Sequence, residues 1–314
     1  MKLTLDRPQI IKEAENSRCF LKIKNGYISL IPECLIFLLV MIVFTMGQAL
    51  GVNLLGIGLY VLIHGKMDSP DVINSWEYMS PISLMSELFA TLAILLFAFL
   101  WQKRKPRTLG FVKKNAVRDY VIGLGAGFVM FTAAVGICLA TGALSLKAAT
   151  NVNYLLICVY AIGWIFQGMA EEVMCRGFFL VSIARKNNLV IAILGNSIAF
   201  AALHLGNDGI GILPLINLTL FGICASVFFI KTGNIWLVSA MHSIWNAVQG
   251  NLYGILVSGG DTGPTILNAT INTGKSLING GDFGLEGGLA VTIVLIITTF
   301  VGLLIPSANG KKAE

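Results

Sequence analysis

Charge is what this sequence has least of. Only 12% of its 314 residues are Asp, Glu, Lys or Arg, while 56% are hydrophobic, and the mean hydropathy is +0.80. Soluble globular domains carry about 25% charged residues, so a water-facing surface would need roughly twice the charge present here. The composition excludes a soluble enzyme and a disordered tail, and it excludes a nucleic-acid partner despite the pI of about 9.0. We therefore expect an integral membrane protein whose main partner is the lipid bilayer.

Several short motifs are also absent. The six cysteines are scattered and form no CxxC pair, which argues against a thiolate metal site or a redox site. The chain contains neither the HExxH sequence of zinc proteases nor a P-loop. Residues 1–27 lack the short apolar core of a secretory signal. We predict that they form a cytoplasmic tail, part of which is able to form an interfacial helix.

Long apolar runs, by contrast, are abundant. A helix needs about 20 apolar residues to cross the hydrocarbon core, and eight stretches approach or exceed this length: 28–50, 83–101, 118–142, 152–170, 189–204, 210–230, 235–257 and 289–305. The first run continues through 51–63, which either extend the first helix or lie along the interface. The pattern predicts an all-α fold, a polytopic transmembrane bundle of about eight helices.

The basic residues predict the orientation of this bundle. Seven Lys and Arg residues lie in the linker between the second and third stretches, at 103, 104, 105, 107, 113, 114 and 118, and the positive-inside rule places such a cluster in the cytoplasm. Both termini are then cytoplasmic. The loops 64–82 and 251–288 fall on the opposite side, and the second, rich in glycine, is predicted to be a flexible connection rather than a lid.

A few polar residues occur where the bilayer disfavours them. A charged group at mid-membrane costs at least about 2.5–3.5 kcal/mol on insertion scales, so such groups usually have a function or a partner. Two of the three histidines and a short acidic and basic run interrupt the apolar stretches. The candidate site residues are Glu171, Glu172, Arg176, His204, His242 and Asn246.

Helical spacing sorts these residues into faces. Glu172 and Arg176 are four apart, so they share a face and are able to form an ion pair that lowers the cost of burying both. Glu171 points about 100° away from Glu172, toward another partner. His242 and Asn246 are also four apart and project together into the bundle. Phe200 and His204 likewise share a face, with the aromatic ring expected to pack beneath the imidazole.

Two chemistries require carboxylates, imidazoles and an amide at one buried place. In hydrolysis, a carboxylate takes a proton from water while imidazoles hold the water or a metal, and an N–H group stabilises the oxyanion. In ion or proton transport, buried carboxylates and histidines form a relay. A purely structural ion pair with hydrogen-bonded histidines is the third possibility, although stability alone explains so many buried polar groups poorly.

Three polar motifs occur in the order found in a known family: Glu171-Glu172-x-x-x-Arg176, Phe200-x-x-x-His204 and His242-x-x-x-Asn246. Together they resemble the motifs of the CPBP (Abi) intramembrane proteases. This family includes the Ras-converting CAAX endopeptidase and bacterial relatives implicated in bacteriocin self-immunity and peptide processing. The resemblance is strongest over residues 118–257.

The resemblance implies a role for each motif residue. Glu171 would activate the attacking water together with His204, and His242 and Asn246 would form the side that stabilises the oxyanion. Glu172 and Arg176 would position the other site residues, in agreement with the ion pair predicted from their i, i+4 spacing. Partners would be a peptide or protein substrate that reaches a polar cavity in the bundle.

The metal is left open by the residues. Family members have been described as metalloproteases, and Glu171, His204 and His242 would furnish the three ligands of a catalytic zinc or another divalent metal. A water activated by glutamate without metal would use the same residues. Glu87, a further carboxylate in the second stretch, lies outside the motifs, and we interpret it as the partner of a packed polar group.

The site residues are expected to lie at different depths in the membrane. Glu171 and His204 each lie sixteen residues from the predicted turn at 187–188, or about 24 Å along antiparallel helices. His242 lies only about 12 Å from the turn before its own helix. The three side chains meet only if the fourth and fifth helices protrude or are staggered, or if the fourth breaks near Gly168.

The prediction is therefore an intramembrane endopeptidase, with four regions. Residues 1–27 form the tail, 28–117 the N-terminal transmembrane helices and basic linker, 118–257 the catalytic core, and 258–314 a loop, the last transmembrane helix and the C-terminal tail. Two alternatives remain, a non-catalytic membrane immunity or partner protein and a proton- or ion-coupled transporter.

Overall fold

The computed structural model describes residues 5–18 and 30–307, and most of them are helical. The α-helices are α1 (Gln9–Ala14), α2 (Leu30–Gly51), α3 (Gly58–His64), α4 (Pro70–Asn74), α5 (Met79–Gln102), α6 (Ala116–Ala140), α7 (Tyr154–Glu172), α8 (Val181–Ala184), α9 (Leu189–Ala202), α10 (Ile212–Thr232), α11 (Trp236–Ala247), α12 (Ser276–Asn279) and α13 (Leu289–Leu304). Three π-helical segments, Val52–Ile57, Val173–Leu180 and Val248–Leu252, continue α2, α7 and α11.

Each of the eight predicted apolar stretches contains a helix, which confirms the all-α bundle. Five helical segments are long and apolar enough to cross a membrane: Leu30–His64, Met79–Gln102, Ala116–Ala140, Tyr154–Ala184 and Ile212–Thr232. The helices α9 and α13 are apolar but shorter. Large apolar side chains are exposed on the outside of these segments, for example Leu38, Leu96, Val129 and Ile297. Such a surface is suited to lipid contact.

The first and fourth segments are longer than the hydrocarbon core. Leu30–His64 runs without interruption for 35 residues, so residues 51–63 extend the first helix. Tyr154–Ala184 runs for 31 residues, about 46 Å at 1.5 Å per residue, against a core of about 30 Å. The fourth segment is therefore longer than one straight span, and it does not break at Gly168, because α7 continues to Glu172. His242 Nε2 lies 3.8 Å from Glu171 Oε2, so the difference in depth expected between these two residues is absent.

The helix α7 lies at the centre of the site-bearing half. It packs against α5 on one side and α11 on another, while α5 also packs against α2 and α11 against α6. The helix α10 packs against both α9 and α13. This arrangement places α7 between α5 and α11, which cover two of its sides.

Glycines allow α11 to approach its neighbours closely. A Cβ atom added at Gly127 of α6 would overlap the carbonyl group of Met241, and one added at Gly168 of α7 would lie 2.7 Å from the backbone nitrogen of Ser243. Both contacts involve backbone atoms that cannot move aside without displacing α11. His242, the residue between these two contact points, is thereby held against α7.

The stretch 251–288 is folded. Its strand β2 (Leu267–Ile271) pairs antiparallel with β1 (Leu144–Ala148), in a register that matches Leu144 with Ile271. The carboxylate of Glu286 accepts hydrogen bonds from Trp245 Nε1 at 3.0 Å and from the backbone nitrogen of Ser258 at 2.8 Å. The prediction of a flexible connection is wrong, because buried polar and apolar contacts fasten this stretch to the bundle.

The N-terminal helix α1 also packs on the protein. Its apolar residues Ile10, Ile11 and Ala14 are buried, and α1 contacts α8 and the 3-10 turn Pro106–Leu109. The remainder of the predicted tail, residues 1–4 and 19–27, lies outside the described residues.

We expect Gly127→Ala to destabilise the bundle by about 1–3 kcal/mol, since the added methyl group overpacks the α6–α11 contact. The matched control is Gly125→Ala on the same helix, where an added Cβ meets nothing within 4 Å and where alanine favours the helix by about 0.5–1 kcal/mol. Thermal unfolding in detergent measures both. Equal melting temperatures for the two variants would contradict the close approach.

Candidate active site

A buried ion pair lies where α7 passes into its π-helical segment. Arg176 Nη1 donates to Glu172 Oε1 at 2.8 Å, and both side chains have no solvent exposure. The pair predicted from the i, i+4 spacing is therefore present. Segments of π-helix often occur at functional sites, and here Val173–Leu180 carries the arginine.

The imidazole of His242 lies between the two glutamates. Its Nδ1 is 3.0 Å from Glu172 Oε1 and its Nε2 is 3.8 Å from Glu171 Oε2. Because a carboxylate only accepts, Nδ1 carries the proton, and the bond fixes the orientation of the ring. The edge of the ring also contacts Phe221, with centroids 4.9 Å apart. His242 thus connects the ion pair to Glu171.

Gln167 connects Glu171 to the last motif. Its Nε2 donates to Glu171 Oε1 at 2.6 Å, and its Oε1 accepts from Asn246 Nδ2 at 2.9 Å. Asn246 therefore reaches Glu171 through Gln167. Sequence reasoning missed Gln167, although its position four residues before Glu171 places both on one face of α7.

Phe200 covers the positive end of the ion pair. The guanidinium carbon of Arg176 lies 4.6 Å from the centre of the Phe200 ring, a cation–π contact. The same ring packs against His204 with centroids 5.0 Å apart, as predicted for two residues on one helical face. One aromatic side chain thus separates the buried charges from the histidine.

His204 follows the end of α9. Its Nδ1 lies 2.9 Å from the carbonyl oxygen of Phe200, and because a carbonyl only accepts, Nδ1 is the donor. This hydrogen bond leaves the lone pair of Nε2 free to accept a hydrogen bond from a water molecule or another donor. The backbone at the end of α9 therefore prepares His204 to act as a base.

A cavity of about 300 Å³ brings Glu171 and His204 together. Its other lining residues are Met41, Phe44, Thr45, Gln48, Glu87, Met174, Leu203 and Asn207. Glu171 is 20% exposed, whereas the side chain of Glu172 is fully buried. Of the six predicted site residues, two thus line the cavity, and the other four are buried close to them.

Glu87 is a second carboxylate in the same cavity. Its Oε1 accepts from Gln48 Nε2 at 3.3 Å, which agrees with its interpretation as a partner of a packed polar group. That interpretation missed its position in the cavity, beside Glu171. The available signal was a lone carboxylate in the middle of an apolar helix, since such groups generally mark functional sites.

Comparison with known protein families gives a match for the central part of the site-bearing half. Residues 153–248 match a family model described as type II CAAX prenyl endopeptidase, Rce1-like. The match supports the CAAX protease family for this segment. Neither a curated protein nor a solved structure matches the chain. The resemblance to the CPBP family inferred from the three motifs is confirmed.

The family match and the cavity do not have the same extent. All six predicted site residues lie within 153–248, whereas Glu87 and Gln48 lie outside it on α5 and α2. Membership in the CAAX protease family supports an intramembrane endopeptidase, and hence a hydrolase that acts on a peptide or protein substrate. One wall of the cavity is contributed by helices that the family match does not include.

The three suggested metal ligands are not arranged to bind one ion. Among residues 5–18 and 30–307, no group of three or more His, Cys, Asp and Glu side chains is arranged to hold a metal ion. His242 Nδ1 is engaged by Glu172 and its Nε2 faces Glu171, while His204 lines the cavity with Glu171. The arrangement of Glu171, His204 and His242 does not fit a zinc site.

We expect Arg176→Leu to destabilise the protein by about 3–5 kcal/mol, because it leaves the Glu172 carboxylate buried without its counter-charge. The control Arg107→Leu removes a half-exposed partner of Glu13 and should cost at most about 1 kcal/mol. Adding Glu172→Gln to Arg176→Leu should restore part of the loss. Thermal unfolding in detergent measures all three, and equal losses for Arg176→Leu and Arg107→Leu would contradict a buried ion pair.

Proposed function

We propose that this chain hydrolyses a peptide bond in a membrane-associated peptide or protein, with a water activated by Glu171 and His204. One observation carries the proposal: these two side chains, from α7 and from the end of α9, line one cavity. A carboxylate and an imidazole lone pair at one cavity are able to hold a water and to remove its proton. The family match supports the same class of reaction.

The surroundings of Glu171 suit a general base. Gln167 donates to one carboxylate oxygen and His242 lies beside the other, so the carboxylate has a fixed orientation while part of it faces the cavity. Water held between Glu171 and His204 Nε2 attacks the carbonyl carbon as Glu171 takes its proton. When the carbon–nitrogen bond of the intermediate breaks, the leaving amine in turn needs a proton.

We assign the remaining motif residues as support for this step. His242 and Asn246 keep the oxyanion-stabilising role that the family suggests, and Glu172, which accepts from His242 Nδ1, fixes the orientation of the ring for that role. Arg176 neutralises Glu172 and holds it in place. The proposed catalytic core is 118–257, with one cavity wall supplied by the region 28–117.

The cavity wall suggests the kind of substrate. Met41, Phe44, Met174 and Leu203 give it an apolar side next to the carboxylates, which suits a peptide carrying a lipid or other apolar group. A prenylated C-terminal peptide, the substrate class named by the family description, and a bacterial peptide related to bacteriocins are both admissible. A proteolysis assay with both peptides distinguishes them.

We expect Glu171→Gln and His204→Ala each to lower kcat by at least about 100-fold, the usual contribution of a general base. Purified protein in liposomes should cleave a prenylated CAAX-type peptide or a bacteriocin leader peptide. The matched controls are Glu77→Gln and His64→Ala, a glutamate and a histidine outside the cavity, which should retain wild-type rates.

Other outcomes would favour the alternatives. Full cleavage by both Glu171→Gln and His204→Ala would show that the residue assignment is wrong. Ion flux in liposomes that is lost with Glu171→Gln, without any peptide cleavage, would favour a transporter. Protection of cells or partner binding that survives both substitutions would favour a non-catalytic immunity or partner protein.

We also propose that both termini are cytoplasmic, since the basic linker 103–118 should remain inside. In a variant without native cysteines, Lys114→Cys should resist a membrane-impermeant thiol reagent added to intact cells, and Thr270→Cys should react with it. Both positions are exposed, so access depends on the side of the membrane. The reversed labelling pattern would invert the topology.

A further inference from the structure

Glu87 is a buried carboxyl group that the hydrolysis described above does not use. It comes from the middle of α5, it is 6% exposed, and it lines the cavity that holds Glu171 and His204. Gln48 of α2 donates to Oε1 at 3.3 Å. Within the described residues, Oε2 makes no hydrogen bond. The carboxyl group thus lines the reaction cavity while one of its oxygens is buried without a partner.

The surroundings of Glu87 favour a neutral carboxylic acid. A buried carboxylate without a paired cation is costly, and none of the cavity-lining residues is Lys or Arg. The other titratable groups at the cavity are Glu171 and His204, and Glu171 is a like charge within electrostatic reach. Two carboxyl groups at one site share a single proton more easily than both ionise.

The two carboxyl groups also differ in their supporting contacts. Glu171 has an amide donor at 2.6 Å and an imidazole at 3.8 Å, both of which stabilise a charged carboxylate. Glu87 has a single, longer amide contact. The shared proton is therefore better placed on Glu87, with the negative charge on Glu171.

We infer that Glu87 is a further catalytic residue, the general acid that protonates the leaving nitrogen. The inference rests on the proposed hydrolysis. Water oxygen bonds to the carbonyl carbon and gives one proton to Glu171; Glu87 then gives its proton to the amide nitrogen as the carbon–nitrogen bond breaks. The products are a carboxylic acid and an amine. Transfer of the proton from Glu171 to Glu87 across the cavity restores the starting state.

The first test is the pH dependence of peptide cleavage by purified protein in liposomes. An acid must be protonated to act, so wild-type kcat should fall on the alkaline side as Glu87 loses its proton. Glu87→Gln should lower kcat about 100-fold, leave KM little changed and remove the alkaline limb. Glu87→Asp should restore part of kcat together with that limb, and Glu77→Gln should match wild type.

The outcomes separate this inference from the proposed function. If wild type cleaves the peptide and Glu171→Gln does not, but Glu87→Gln keeps wild-type kcat and the alkaline limb, Glu87 is not the acid and the hydrolysis stands. If wild type cleaves neither test peptide, or if Glu171→Gln remains fully active, the proposed function fails first.

A second test does not depend on activity. The infrared spectrum of wild-type protein should contain a carbonyl stretching band of a protonated carboxylic acid that Glu87→Gln removes and Glu77→Gln retains. Thermal unfolding of Glu87→Gln checks that the variant folds, and Glu87→Asp replaces it if it does not. A band unchanged by substitution of Glu87 would overturn the inference.

Discussion

The buried ion pair between Glu172 and Arg176 is the interaction on which the site depends. Neither side chain contacts solvent, so each charge is tolerable only beside the other. The same carboxylate oxygen accepts from His242, and the guanidinium stacks on Phe200. One pair thereby fixes α11 and α9 against α7, and the side chains of the last two motifs are oriented by it.

Close helix packing makes this arrangement possible. Gly168 lets α11 contact the backbone of α7, and Gly127 lets it contact α6, so His242 is near both glutamates without a long side chain. Since Glu171 and Glu172 are neighbours on a helix, they face different partners. One is sealed into the ion pair, while the other reaches the cavity. The same local sequence thus serves both structure and chemistry.

About half of the residues that line the cavity come from α2 and α5, which lie outside the family match. Glu87 and Gln48 belong to α5 and α2, and α5 packs directly on α7. A site built from both halves explains why the segment 153–248 alone does not contain all its polar residues. Among the described residues, the titratable side chains of the cavity are thus divided: Glu171 and His204 lie in the family segment, and Glu87 lies on α5.

Much of this could be predicted from the sequence. Apolar runs predicted every long helix, because the bilayer imposes a length on each span. Residues four apart predicted the Glu172–Arg176 pair and the Phe200–His204 contact, because a helix fixes which neighbours share a face. The order of the motifs predicted the family. The folded state of 251–288 was not predictable, because a glycine-rich composition indicates which backbone conformations are accessible. It does not indicate which tertiary contacts stabilise one of them.

The sequence by itself therefore determined the membrane location, the helices, the local polar pairs and the family. Only the tertiary structure decided that Glu171 and His204 share a cavity, that Asn246 is connected to Glu171 through Gln167, and that Glu87 lines the same cavity. The physical reason is that periodicity describes one helix at a time. Which faces of different helices meet depends on the close approach of backbones and on where buried charges find partners.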